Sequence, residues 1–122
     1  MVRVLVVDDD EDVVEVLGLC LANGRGWDVR TATSGAAALE VCRSRAPDVV
    51  LLDVEMPVLD GPGVLAALRA DPRTRAVPVV FVTAVAEPDL DARLRGLGAV
   101  AVLPKPFDPL VIGDQVALLL GW

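Results

Sequence analysis

At 122 residues, 54% apolar and 24% charged, the chain has the size and composition of one globular domain with a buried core, and it falls outside the disordered class. Its net charge is −7 and its basic residues are dispersed with no Lys/Arg run, which argues against direct binding of nucleic acid or an anionic membrane surface. The complete absence of histidine removes Cys/His zinc sites, Ser-His-Asp triads and histidine general bases.

Strand and helix patterns alternate along the chain. Met1 leads straight into a first strand, Arg3 to Val7, with no signal-peptide pattern before it. Asp10 to Ala22 follows, with Val13, Val14, Leu17, Cys20 and Leu21 at helical spacing, and Asn23–Gly26 reads as a loop. A short strand, Asp28 to Ala32, precedes a helix capped by Ser34 and running to about Arg45, where Pro47-Asp48 stops it. Strand three is Val49 to Leu52, Met56 to Gly61 is a loop, and Gly63 to Ala70 is a third helix ended by Asp71-Pro72. Strand four is Val79 to Val82, and a short helix from Leu90 to Leu97 is ended by Gly98. Strand five is Val100 to Leu103, and the last helix runs from Pro109 to about Leu120. This strict alternation predicts a parallel sheet with right-handed crossovers and helices on both faces. Cys20 and Cys42 each sit inside an apolar helical pattern without a CxxC partner, so two reduced thiols are expected rather than a disulfide. No apolar stretch approaches the ~20 residues of a membrane span, and a cytoplasmic location is expected.

The strand ends carry the chemistry. Val4–Val7 runs into Asp8-Asp9-Asp10, Val49–Leu52 into Asp53, and Val79–Val82 into Thr83, while Lys105 follows the fifth strand. Ligands of open α/β sheets bind at the carboxyl ends of the strands, so these groups should converge on one rim. The three N-terminal acids could merely begin a helix, where negative charge complements the dipole, and Asp10 fits that role. Asp8 and Asp9 follow a buried strand directly and should lie close to Asp53. Clustered carboxylates raise one another's pKa values, and a bound cation would relieve the repulsion. Hard oxygen ligands without His or Cys favour Mg²⁺. Asp53 could be both metal ligand and nucleophile, attacking phosphorus to give an aspartyl-phosphate. Lys105, stiffened between Pro104 and Pro106, would neutralise charge on the transferring group. Taken alone, Lys105 reads as a solvated lysine and Thr83 as an ordinary strand residue; their place at the rim raises both.

These segments together resemble the receiver domain of two-component response regulators. The acidic start Val4–Asp10, the segment Asp53-Val54-Glu55-Met56-Pro57-Val58-Leu59-Asp60-Gly61, the step Thr83-Ala84 and the ending Lys105-Pro106-Phe107 occur in order, and the likeness covers essentially residues 1–122 as one receiver domain. The resemblance implies a flavodoxin-like (βα)5 three-layer sandwich with strand order 2-1-3-4-5. It implies that Asp53 accepts a phosphoryl group from a sensor histidine kinase or a histidine phosphotransfer protein. Asp9, Asp53 and the backbone carbonyl of Glu55 would bind Mg²⁺, with Asp8 acting through water. Lys105 would pair with phosphoryl oxygens, Thr83 and the backbone N–H of Ala84 would face the same group, and Lys105-Pro106 would be a cis peptide.

Some positions depart from the family pattern. Val102 stands three residues before Lys105, where the family often has an aromatic ring that moves with the switch, so a smaller response to phosphorylation is expected. Glu55 reads either as a solvated loop carboxylate or as a group tuning the metal or the phosphoryl lifetime. Val85 cannot position an attacking water, so slow self-dephosphorylation is expected. The last helix is apolar over more than one face and lacks any Lys or Arg after Lys105. An ordinary core helix and a dimer or partner surface both fit it, whereas a dimer built on charged pairs does not. The output would pass to a separate protein or a covalently linked effector domain. Competing functions are a non-phosphorylated pseudo-receiver that only binds, an aspartate-nucleophile phosphatase using Glu55 as acid, and a flavin carrier. The intact Asp9, Asp53, Thr83 and Lys105 disfavour the first. Met56-Pro57 and the missing cap insertion disfavour the second, and acids that would repel a flavin phosphate disfavour the third.

Overall fold

The computed structural model describes residues 1–85 and 87–122. Its strands are β1 (Arg3–Val7), β2 (Asp28–Ala32), β3 (Val49–Leu52), β4 (Val79–Thr83) and β5 (Ala101–Pro104), all parallel in the order β2-β1-β3-β4-β5. The helices α1 (Glu11–Arg25), α2 (Gly35–Ser44), α3 (Gly61–Ala70), α4 (Leu90–Gly96) and α5 (Ile112–Leu119) cross between them. The expected flavodoxin-like sandwich is therefore the fold.

Side-chain alternation along each strand divides the core into two layers. Leu5, Val7, Val50, Leu52, Val79 and Phe81 pack beneath α2, α3 and α4. Val4, Val6, Val49, Leu51, Val80 and Val82 pack beneath α1 and α5. A strand covered on both faces reads as an unbroken apolar run, which is what β1, β3 and β4 show. On the edge strand β5, Ala101 is buried while Val102 is only half-buried, against the α2–α4 layer.

Three helix limits differ from expectation by more than one residue. α1 continues through Asn23 and Gly24 to Arg25, because Gly26 (φ 68°) adopts the left-handed cap and donates its N–H to the Ala22 carbonyl. The Arg25 guanidinium then lies 5.2 Å from the Trp27 ring and 2.7 Å from Asp114, and Trp122 meets Trp27 edge-on. α3 starts at Gly61 rather than Gly63, since Asp60 caps it by accepting the Gly63 N–H at 2.8 Å and Pro62 suits a first turn. α5 starts at Ile112 rather than Pro109. Asp108 accepts the Leu110 N–H on its side chain at 2.9 Å, and this local turn displaces the first helical turn. β4 also includes Thr83, and β5 is shifted by one residue to end at Pro104.

The β3–α3 connection holds the two tightest backbone features. A Cβ on Gly61 would stand 2.2 Å from the Asp53 carbonyl oxygen and 2.7 Å from Phe81. Val58 is fully exposed at φ 68°, and Leu59 donates its N–H back to the Pro57 carbonyl across it at 2.8 Å. A β-branched residue is poorly suited to that conformation. Chemical denaturation should show Val58→Asn more stable by about 1 kcal/mol. Gly61→Ala should be less stable by about 1–3 kcal/mol.

Candidate functional site

β1 and β3 are neighbours, with Val7 opposite Leu52, so the residues that follow them meet at one rim. The Asp53 N–H donates to the Val7 carbonyl at 2.9 Å, which locks the two ends together. Asp8 and Asp53 are buried and Asp9 is exposed, and one carboxylate oxygen of each lies within 4.8 Å of the others. Three converging carboxylates with no nitrogen or sulfur donor form a set suited to a hard divalent metal ion. Asp10 stands apart as the cap of α1, accepting the Asp12 N–H at 2.9 Å.

Lys105 reaches the rim from the far side of the sheet. Its N–H donates to the Thr83 carbonyl at 2.9 Å, extending the β4–β5 ladder by one residue, and the Lys105–Pro106 peptide is cis. Its Nζ donates to Asp8 Oδ2 at 2.5 Å and stands 3.5 Å from Asp53 Oδ1. Burial works against the ammonium charge, but the two carboxylates outweigh it and hold the Lys105 pKa above its usual value. The pairing with Asp8, closer than that with Asp53, has no counterpart in the sequence reading.

Asp53 is shifted upward from the ordinary carboxylate range. Burial is the largest cause and the Asp8 charge the next; Lys105 and the Val54 N–H, which donates to Asp53 Oδ1 at 2.9 Å, counteract only part of it. Thr83 is buried beside the rim, and its Oγ1 accepts the Val85 N–H at 3.0 Å. That bond leaves the hydroxyl hydrogen free to donate elsewhere. Ala84 follows directly and is exposed. Glu55 is exposed and lines a cleft of about 560 Å³ with Asp9, Asp60, Val85, Glu87 and Arg93. Arg93, the one cation among the described residues of that lining, was not anticipated, because its place depends on how α4 packs. Val102 lies apart from the carboxylates, on the α2–α4 side of β5.

Comparison with known proteins agrees with this geometry. The response regulator receiver domain family matches residues 4–117. The transcriptional regulatory protein PrrA of Mycobacterium tuberculosis is 47% identical over 119 residues, covering 94% of this chain and 47% of PrrA. The response regulator PleD of Caulobacter vibrioides is 41% identical over 122 residues, covering 96% of this chain and 26% of PleD. The chain thus spans about half or less of the length of these relatives. The chemotaxis protein CheY4 of Vibrio cholerae superposes with a TM-score of 0.90 at 28% identity, covering 98% of each chain. Five alternating βα units, an acidic rim and a lysine on a cis-proline loop come together in one family, and this chain belongs to it: the receiver domains of two-component response regulators.

Proposed function

We propose that residues 1–122 form a receiver domain that works as a phosphorylation switch, with Asp53 as the phosphoacceptor. The observation that carries this reading is the placement of a buried Asp53 between the Asp8 and Asp9 carboxylates and the Lys105 ammonium. An Asp53 carboxylate oxygen attacks the phosphorus of a phosphohistidine on a sensor histidine kinase or a histidine phosphotransfer protein. The P–N bond breaks as the new P–O bond forms, and the imidazole leaves with the electron pair. Asp9, Asp53 and the Glu55 carbonyl would hold Mg²⁺, with Asp8 acting through water, and a bound ion would supply charge neutralisation at the phosphoryl oxygens. Lys105 adds a second positive charge there, and the Ala84 N–H and the Thr83 hydroxyl donate hydrogen bonds. The protein turns over no separate metabolite, and a cytoplasmic location fits this role.

Output follows from Thr83. Its hydroxyl anchors the loop after β4 through the Val85 N–H, so a turn of Thr83 toward a phosphoryl group pulls on that loop. Val102 supplies no ring to follow the motion, so the response is confined mainly to the rim. Val85 offers no polar group to orient an attacking water, which supports a long-lived phosphoryl group. The outward apolar residues Leu110, just before α5, and Leu118, on α5, 89% and 83% exposed, support a protein contact there, whether an output protein, a linked effector domain or a second copy.

Incubation with acetyl phosphate and Mg²⁺ should add one phosphoryl group to the intact mass. The adduct should be absent without Mg²⁺ or in Asp53→Ala, and should decay over minutes or longer rather than seconds. Absence of any adduct in the folded protein would instead favour a pseudo-receiver that acts by binding alone.

The raised Asp53 pKa gives a second expected outcome. An acid whose folded pKa lies above its unfolded value (about 3.9) binds its proton better in the folded state. Stability therefore falls as pH rises from the unfolded through the folded pKa, and the loss persists at neutral pH. In chelator, Asp53→Asn should melt above the wild type at pH ~7. That advantage should shrink as the pH approaches ~3.5, near the unfolded pKa. A lower melting point for Asp53→Asn at neutral pH would contradict the assigned balance of charges.

A further inference from the structure

Helices that cross a parallel sheet end at the rim where the strands begin, opposite the acidic site. Here each of the first four ends in arginine: Arg25, Arg43, Arg69 and Arg95 lie in the last turns of α1 to α4. Arg3 opens β1, and Arg45, Arg73 and Arg75 lie in the connections that follow α2 and α3. Arginines dispersed in sequence are thus collected at one end of a molecule whose net charge is −7. Compensation of the helix dipole accounts for those in the last turns. It does not account for Arg3, Arg73 and Arg75, nor for Arg30 on β2.

Arg25 and Arg95 are paired with Asp114 and Asp91, each at 2.7 Å, but several of the others are left unneutralised. Arg69 donates to the carbonyls of Val77 (2.7 Å), Gly98 (3.0 Å) and Arg75 (3.1 Å), and Arg3 donates to the carbonyl of Ala46 (3.2 Å). These acceptors are neutral. Arg43 and Arg73 share the single carboxylate of Asp71, at 3.5 and 2.8 Å. Arg30, Arg45 and Arg75 have no ion-pair partner among the described residues. Besides Asp71, the carboxylates interspersed at this end include Asp28 and Asp48, and Asp48 accepts the backbone N–H of Arg3 at 2.8 Å.

The same rim is grooved. A cleft of about 360 Å³ separates the α2–β3 and α3–β4 connections, with walls that include Pro47, Asp48, Pro72, Arg73, Val77 and Pro78. Beyond Pro47, a small niche is bounded by Arg3, Asp28, Arg30, Val41 and Arg45. The three guanidinium groups around the niche outnumber its one carboxylate, Asp28, and lie beside the proline and valine walls of the cleft, a surface that matches carboxylates interspersed with apolar side chains.

We propose that this rim docks an acidic segment of a partner protein with interspersed apolar residues. The overall charge favours a short peptide over nucleic acid. A duplex carries one charge per ~1.7 Å along its whole length and would meet a molecule of net charge −7 beyond the rim, whereas a short peptide need not. The surface lies at the opposite end from Asp53, so it serves a contact that leaves the phosphoacceptor open.

Fluorescence anisotropy with a labelled peptide of repeated Glu-Glu-Pro-Leu units tests this on the full chain. Saturable binding that weakens as salt is raised is expected. The triple variant Arg30→Ser, Arg45→Ser, Arg75→Ser should bind about tenfold more weakly at low ionic strength. Its melting point and its phosphoryl adduct should match the wild type, because none of the three side chains is engaged in the fold or the site. Absence of saturable binding by the wild type, or equal binding by the triple variant, would overturn the proposal. So would displacement of the peptide by a DNA duplex that binds more tightly, which would make the rim a nucleic-acid surface.

Discussion

The site depends on one electrostatic conflict. The sheet brings three carboxylates within 4.8 Å of one another and sets a single lysine against them. Parallel pairing of β1 with β3 makes this unavoidable once Asp8, Asp9 and Asp53 occupy the strand ends, and the backbone bond from Asp53 to Val7 holds them there. Lys105 sets one positive charge against these three, nearest Asp8 and, less closely, Asp53. Burial first, and the Asp8 charge after it, raise the pKa of Asp53 beyond what Lys105 offsets. A site left short of positive charge is receptive to a metal ion, and a site with metal and lysine together is receptive to an anionic phosphoryl group. Structural instability and chemical readiness thus have the same origin.

The rest of the fold serves to hold that conflict in place. Two apolar layers clamp the sheet from either side, so the strand ends cannot splay to relieve the repulsion. The β3–α3 connection turns tightly enough for Gly61 to lie against the Asp53 carbonyl, and the strained Val58 sits at its tip. On the far side, Thr83 is tied both to Lys105 through its carbonyl and to Val85 through its hydroxyl. One residue therefore touches the lysine loop and the loop after β4, which suits it to pass on a change at the rim.

Much of this was legible in the amino-acid order, and the reasons are local. β1, β3 and β4 are buried on both faces, so they read as unbroken apolar runs, and the acids, threonine and lysine stand at their ends. The limits of α1, α3 and α5 were not legible to the same degree, because they turn on single capping contacts. Gly26 extends α1 past two poor helix formers, Asp60 starts α3 early, and Asp108 delays α5. The closer pairing of Lys105 with Asp8 depends on where a flexible side chain settles, which strand ends do not specify. The arginine rim escaped notice for a different reason: its members are far apart in sequence, and only the crossover topology brings them to one end.

Calorimetric melting as a function of Mg²⁺ concentration bears most directly on the central claim. If the carboxylate rim is a frustrated cation site, the melting temperature of the wild type should climb steadily with Mg²⁺, with about 1.4 kcal/mol of added stability at tenfold the dissociation constant. In Asp9→Asn the climb should be largely lost. A wild-type melting temperature indifferent to Mg²⁺ at neutral pH would contradict the account.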